Sequence, residues 1–274
     1  MKHLPINLLW LSCLLTFFAG CSGTKQETIQ IAGSTTVLPP VSIAAERFHQ
    51  SNPEIRVIVN AGGSGVGINQ AASKKIDLGM ASREISSKER HQFEGTNLST
   101  TTIGYDAVAV AVSSEIYEAG IKELSLAQIR AIYSGEISNW SQLGGPNLDI
   151  LVLDKEASRG TRHVFMDIVF GDEYAKAAGA DLVLGSNNEE QTAIQQSDAA
   201  IGMLSHAWLN KEVKGLGIRM GEETVEPSIE NIVSGKYPIV RSLSLVYTIP
   251  LKPEALEFLN FLLGTEGQSI VQKE

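Results

Sequence analysis

The chain has 274 residues, of which 43% are hydrophobic, and its 22 Lys and Arg against 31 Asp and Glu give a formal net charge of −9. This length can bury one large core or two cores of ordinary size. The acidic balance argues against binding to nucleic acid or to an acidic membrane surface. A small anion remains compatible with it, because backbone amides and one or two arginines set the potential inside a cleft.

Residues 1–20 have the pattern of an export signal, with a short basic head before an apolar run over residues 8–19. That run is too short for a relaxed membrane span. It ends in Phe-Phe-Ala-Gly-Cys at residues 17–21, which resembles the lipobox of bacterial lipoproteins. The resemblance implies cleavage after residue 20, a lipid on Cys21, and residues 21–28 as a polar tether. The alternative is ordinary secretion with a free Cys21.

Strand-like and helical patterns then alternate along almost the whole chain. The predicted strands cover residues 29–31, 55–59, 76–80, 101–112, 150–153, 182–184, 200–204 and 239–248. The predicted helices cover residues 37–49, 68–73, 86–93, 125–133, 161–170, 189–196 and 253–263, followed by a short tail helix. Ser86 and Glu89 have the spacing of a capping box. The alternation predicts an α/β fold with a mostly parallel sheet.

The predicted strands over residues 101–112 and 239–248 are long enough to leave one sheet and enter another. The α/β set between them is self-contained. We therefore expect lobe I to comprise residues 29–104 and 243–274, and lobe II residues 105–242, joined by two hinge crossings. Clefts between lobes are preferred sites for small ligands. The competing architecture is one doubly wound sheet without a hinge.

Three turns rich in Gly, Ser and Thr lie between a strand-like run and a helical pattern, over residues 32–36, 62–67 and 157–162. Small residues at a helix start let backbone N–H groups approach a ligand, and the helix dipole favours negative charge there. The three turns predict several helix starts converging on one anion. Ser82 and Arg83 follow a predicted strand, where α/β folds place binding groups.

Structural roles compete with binding at several of these positions. Ser34 and its two neighbours could cap the following helix, Arg83 could be solvated, and Trp140 is expected to pack rather than bind. Arg159 and Arg162 stand in the first turn of a predicted helix, where the dipole disfavours cations. A bound anion would compensate that charge.

No motif of a nucleotide-binding or catalytic site is complete. The glycine cluster at residues 62–67 lacks the Lys-Ser/Thr of a P-loop, since Ile68 and Asn69 follow it. It also departs from the dinucleotide-binding and nucleophile-elbow patterns. The histidines are scattered, without the spacing of metal ligands. These absences favour a binding protein over an enzyme, with no cofactor.

Eight short segments follow one another over essentially the whole chain after the signal. They are residues 31–37, 63–68, 77–83, 105–110, 132–140, 158–162, 200–203 and 237–241. Together they resemble the phosphate-binding lipoproteins of bacterial ABC importers, which have the two-lobed type 2 periplasmic-binding-protein fold. Each segment is weak alone, but their order matches the family.

The resemblance implies that the chain binds inorganic phosphate in the interlobe cleft and delivers it to an ABC permease and its ATPase. It implies an exported monomer, lipid-anchored to a bacterial membrane and facing the periplasm or cell exterior. The predicted phosphate-binding residues are Ser34, Thr35, Thr36, Ser64, Ser82, Arg83, Asp106, Ser158, Arg159, Gly160 and Thr161. The alternatives are another oxyanion (molybdate, tungstate or sulfate), or a surface lipoprotein in adhesion or sensing.

Two departures from the family pattern bear on the site. Some members carry an aspartate where this chain has Arg83, and that aspartate accepts a proton of phosphate. Asp106 is the acceptor nominated in its place. Members often carry an arginine in the strand before the third turn, where the nearby basic residue here is Lys155, which lacks the bidentate fork of arginine.

Overall fold

The computed structural model describes residues 26–273, so the predicted signal and Cys21 lie outside the described residues. The first seven elements alternate regularly: β1 (Glu27–Gly33), α1 (Leu38–Ser51), β2 (Ile55–Ala61), α2 (Ser64–Ala72), β3 (Leu78–Ala81), α3 (Ser87–Gln92) and β4 (Leu98–Ser113). The middle of the chain forms α4 (Ser114–Glu118), β5 (Glu123–Ser125), α5 (Leu126–Ser134), β6 (Leu151–Lys155), α6 (Gly160–Phe170), β7 (Leu182–Leu184), α7 (Asn187–Gln195) and β8 (Ala200–Ser205). The remaining elements are β9 (Val213–Gly215), β10 (Gly217–Met220), β11 (Glu223–Val225), α8 (Ile229–Val233), β12 (Val240–Thr248), α9 (Pro253–Leu263) and α10 (Thr265–Val271).

Nine of the strands form one mixed sheet with the order β2-β1-β3-β12-β4-β8-β6-β7, and β9 pairs with β4 off this path. Strands β1, β2 and β3 pair in parallel, as do β6, β7 and β8. The long strands β4 and β12 are antiparallel to each other and to their outer neighbours β8 and β3. This arrangement confirms the predicted α/β fold with a largely parallel sheet in each half.

Two separate hydrophobic cores lie on the two sides of the β4–β12 pair. Ile103 and Leu243 belong to one core, together with residues of β1, β3, α1 and α9. Ala107 belongs to the other, together with residues of α5, α6 and β8, and Val240 of β12 packs against it. Both long strands therefore pass from one core to the other, as expected for a two-lobed molecule. The exact lobe boundaries given above stay a prediction, and the names lobe I and lobe II are used for those ranges.

Most predicted elements agree with the structure to within a few residues, and the capping box is confirmed. The Ser86 hydroxyl accepts from the Glu89 amide at 3.2 Å, and the Ser86 amide donates to the Glu89 carboxylate at 2.9 Å. Trp140 is fully buried and its indole donates to the Ala199 carbonyl, so its packing role is confirmed as well.

The prediction for the second helix is wrong at its start. Helix α2 begins at Ser64 rather than near residue 68, so most of the glycine cluster lies inside it. The reason is close packing: a Cβ on Gly67 would lie 2.6 Å from the Met80 carbonyl oxygen and 2.8 Å from that of Ala32. Glycine lets α2 rest directly on β1 and β3, and this packing brings Ser64 to the ends of those strands.

Candidate functional site

Three serine hydroxyls meet at the carboxyl ends of the parallel strands of lobe I. Ser34 follows β1, Ser64 begins α2 and Ser82 follows β3. The Ser34 hydroxyl donates to Ser82 Oγ at 2.9 Å, and Ser64 Oγ lies 3.3 Å from Ser82 Oγ. The Ser82 amide donates to Ser64 Oγ at 3.0 Å. All three side chains are buried. Two of the predicted turns and the Ser82 turn therefore form one hydroxyl cluster.

The third predicted turn joins this cluster from lobe II. A Cβ on Gly160, the first residue of α6, would lie 2.3 Å from Ser64 Oγ and 2.7 Å from Ser82 Oγ. The Gly65 amide donates to the Ser158 carbonyl at 3.0 Å. The lobes therefore touch across the cleft, and the hydroxyl cluster lies between them.

Arg241 supplies the positive charge of the site, and sequence reasoning did not select it. It pairs with Asp106 across the β12–β4 ladder, and its Nε and Nη2 donate to Asp106 Oδ2 at 2.9 and 2.6 Å. Its Nη1 donates to Thr161 Oγ1 at 2.8 Å and its Nη2 to Thr36 Oγ1 at 3.1 Å. Arg241 and Asp106 are 4% and 8% exposed, so water screens this charge weakly.

Asn187 is the second site residue that sequence reasoning missed. Its side chain is 1% exposed, and its Nδ2 donates to Thr36 Oγ1 at 3.0 Å. The predicted helix began at residue 189, whereas α7 begins at Asn187 with Ser186 as its N-cap. A correct N-cap assignment, read from the spacing of Ser186 and Glu189, would have placed Asn187 in the first turn of a helix.

The arginines near the turns form ion pairs within the protein, and the phosphate-binding roles of Arg83 and Arg159 stay predictions. Arg83 makes a bidentate pair with Glu89, with distances of 2.7 and 2.8 Å, and donates to the Glu84 carbonyl. Arg159 pairs with Glu156, and Arg162 donates to Asp154 at 2.9 Å. Carboxylates of the protein therefore balance these cations, and no bound anion is needed to compensate them.

Lys155 likewise serves a structural role. Its ammonium group is buried against the Glu190 carboxylate, and it donates to the Ser186 carbonyl at 3.3 Å. Burial lowers the pKa of Lys155 and raises the pKa of Glu190, while their mutual attraction opposes both shifts. The pair therefore fastens α7 to β6 below the site.

Two predicted residues stand at the edge of the cluster. Thr35 and Ser158 are half-buried, and the side-chain hydrogen bonds found among residues 26–273 include none from either hydroxyl. Thr36 is buried and its amide donates to Ser34 Oγ at 3.2 Å. The contribution of Thr35 and Ser158 to binding stays a prediction.

The backbone adds further donors to this cluster. Helices α1, α2 and α6 all begin beside it, and none of the three has a side-chain hydrogen bond at its N-cap. Amide groups in the first turn of a helix have no partner within the helix, and the helix dipole is positive there. Hydroxyls, first-turn amides and one guanidinium thus converge at one place, which suits a compact anion with many acceptor oxygens.

Within residues 26–273, no group of His, Cys, Asp and Glu has the arrangement of a metal site. No helix in the same range is both long and apolar enough to cross a bilayer.

Comparison with known proteins places the chain in a family. A family model described as a PBP superfamily domain matches residues 21–266. The phosphate-binding protein PstS of Borreliella burgdorferi is 30% identical, over 100% of this chain and 98% of its own length. The chain belongs to the PstS family. PstS of Bacillus subtilis is also 30% identical, over 77% of this chain and 67% of its own length.

Solved structures of PstS-like proteins share this architecture. A phosphate ABC transporter substrate-binding protein of Clostridium perfringens, solved with bound phosphate, is 30% identical, with a TM-score of 0.81 over 90% of this chain and 97% of that one. A phosphate transport receptor of Vibrio cholerae is 28% identical, with a TM-score of 0.70 over 89% of this chain and 97% of that one. The PstS fold, with two lobes around a cleft, is therefore that of this chain.

Proposed function

We propose that this chain captures inorganic phosphate between its lobes and delivers it to an ABC permease and its ATPase. The observation that carries the proposal is the buried cluster of five hydroxyls around Arg241. These hydroxyls belong to Ser34, Thr36, Ser64, Ser82 and Thr161. The named relatives, which are phosphate-binding and phosphate-transport proteins, support the choice of ligand and of partner. They also support a binding protein rather than an enzyme.

Asp106 gives the site a means to select phosphate. Both hydrogen bonds from Arg241 end on Oδ2, and none of the hydrogen bonds found within residues 26–273 uses Oδ1. Phosphate keeps a proton at neutral pH, whereas sulfate and molybdate do not. We propose that Oδ1 accepts this proton, so that a fully ionised anion meets an unpaired carboxylate oxygen and is rejected.

Calorimetric titration with phosphate, sulfate and molybdate tests this function. Wild-type protein should bind phosphate with micromolar or tighter affinity, about 8 kcal/mol or more, and should not bind sulfate or molybdate. Asp106→Asn should weaken phosphate binding and admit sulfate, since its amide can donate where the carboxylate cannot. If the wild type bound only sulfate or molybdate, phosphate would be the wrong ligand. If it bound none of the three anions, the oxyanion-binding function would be refuted.

We further propose that residues 1–20 direct export and that a lipid on Cys21 holds a monomeric protein at the membrane. The superfamily match begins at residue 21, which agrees with a signal that lies outside the domain. Labelling of expressing cells with an alkyne fatty acid should mark the wild type and leave Cys21→Ser unmarked. Equal labelling of the two proteins would exclude this anchor.

A further inference from the structure

The hydroxyl group of Thr36 receives two hydrogen bonds, from Asn187 Nδ2 at 3.0 Å and from Arg241 Nη2 at 3.1 Å. A hydroxyl oxygen has two acceptor lone pairs and one O–H donor. Because both lone pairs are engaged, the O–H can only donate. None of the hydrogen bonds found among residues 26–273 has this hydroxyl as its donor. The proton of Thr36 is thus available to an anion in the cluster.

Asn187 reaches Thr36 from the opposite lobe. Thr36 lies in the turn between β1 and α1 of lobe I, whereas Asn187 is the first residue of α7 in lobe II. Both side chains are buried, with 7% and 1% exposure. Separation of the lobes would break this hydrogen bond and leave two buried polar groups to be rehydrated.

The buried Lys155–Glu190 ion pair fixes the direction of the Asn187 side chain. Lys155 Nζ binds both the Glu190 carboxylate and the carbonyl of Ser186, which directly precedes Asn187. Glu190 Oε1 also accepts from the Met203 amide at 2.6 Å. The first turn of α7 is therefore tied to β6 and β8. A side chain held in this way is positioned before any ligand arrives.

We infer that Asn187 is a positioning residue that holds the closed lobes together and directs the Thr36 proton towards the bound anion. The inference rests on the proposed phosphate-binding function. Asn187 acts through Thr36, so no contact between Asn187 and phosphate is required. Since the hydrogen bond exists only when the lobes touch, Asn187 slows the release of phosphate and leaves its capture by the open protein unchanged.

Stopped-flow measurement of phosphate association and dissociation tests this role in two variants. Asn187→Ala should speed dissociation by about tenfold to a hundredfold, the cost of one buried hydrogen bond, with association changed less than threefold. Asn187→Asp should release phosphate faster still, because its carboxylate would accept the Thr36 proton and would carry charge beside the anion.

The matched control is Asn188→Ala, which removes the same side chain from the next residue of α7, where it is exposed. Its kinetics should equal those of the wild type. A loss of affinity that appeared in the association rate, or that paralleled a loss of thermal stability, would reduce Asn187 to a structural residue. Dissociation from Asn187→Ala at the wild-type rate would overturn the inference.

A second measurement needs no phosphate. A Cβ on Gly65 would lie 3.5 Å from the Ser158 Cβ across the cleft, within the range that a disulfide spans. In Gly65→Cys/Ser158→Cys protein the rate of cross-linking therefore reports how often the ligand-free lobes close. Adding Asn187→Ala should slow this rate, whereas adding Asn188→Ala should not.

The two measurements separate the inference from the function on which it rests. If wild-type protein does not bind phosphate, the proposed function fails, and the cross-linking rates alone decide whether Asn187 holds the lobes. If phosphate binds but neither rate depends on Asn187, the inference fails and the function stands.

Discussion

The absence of a side chain at residue 160 shapes the site as much as the hydroxyls do. Gly160 begins α6 with its Cα directed at Ser64 and Ser82, so any Cβ would lie within 2.7 Å of both hydroxyl oxygens. Contacts this short do not occur between unbonded atoms, so a methyl group here must move α6 or the hydroxyls. The lobes could then no longer meet around an anion.

Gly160→Ala should therefore weaken phosphate binding by at least a hundredfold in a calorimetric titration. The fold should be retained, since Gly160 has no left-handed backbone conformation and alanine favours a helix by about 1 kcal/mol over glycine. Thermal unfolding of the ligand-free variant should accordingly equal or exceed that of the wild type. Wild-type affinity in this variant would show that phosphate binding does not need the close approach of the starts of α2 and α6.

His163 makes stability depend on pH. Its Nε2 donates to the Ala157 carbonyl at 2.8 Å, and its Nδ1 lies 3.4 Å from the Glu173 carboxylate. Burial lowers the pKa of His163 below its usual 6.5, and the positive charge of Arg83 lowers it further. At a pH between the usual pKa of 6.5 and the lowered pKa of His163, the unfolded chain binds a proton that the folded protein does not bind. The free energy of unfolding should therefore fall as the pH decreases from 7 through the lowered pKa.

Denaturant titrations between pH 7.5 and pH 5.5 should show a shallower fall for His163→Gln than for the wild type. Glutamine can still donate to the Ala157 carbonyl and does not titrate. His91→Gln is the matched control, because the His91 side chain is 88% exposed, and it should follow the wild-type curve. Parallel curves for His163→Gln and the wild type would contradict the assignment.

Strand β6 and helix α7 are joined by the buried Lys155–Glu190 pair. Removing one partner leaves the other charge buried and unpaired, at a typical cost of about 3–5 kcal/mol. Lys155→Met should therefore lower the free energy of unfolding by an amount in this range. Lys155→Met/Glu190→Gln should recover most of the loss, because glutamine keeps the acceptor for the Met203 amide. Chemical denaturation followed by circular dichroism measures the free energy of unfolding of both variants. Equal losses in the single and the double variant would exclude an uncompensated charge as the cause.

Elements with a strong period were predictable, and most of the short ones were not. Helix α9 has the predicted limits because an apolar stripe marks it, and the three-residue strand β7 has them because its residues are all apolar. Strands β5, β10 and β11 have three or four residues each, too few for any period to show. The hydroxyls of Ser34 and Ser64 were predictable because they lie in small-residue turns, and that of Ser82 because it follows a predicted strand. Arg241 was not, because only the register of β12 against β4 brings it to Asp106.

The two cores can move against each other only about β4 and β12, which both of them share. Gly65→Cys/Ser158→Cys should therefore trap the closed molecule when it is oxidised. Protein oxidised with phosphate bound should retain it through dialysis, and protein oxidised without phosphate should fail to take it up. Reduction should restore exchange in both samples, which controls for damage by the substitutions. Free exchange in the oxidised protein would show that ligand entry needs no separation of the lobes.

Arg241 and Asp106 face each other on the two strands that pass between the lobes. In the proposed closure these strands move least, so the guanidinium keeps its place while the hydroxyls of both lobes approach and withdraw. Added salt should not slow the capture of phosphate, because Asp106 balances the guanidinium and leaves no unpaired cation to attract an anion over a long range. It should leave the lifetime of the bound complex almost unchanged, because short hydrogen bonds that exclude water maintain it.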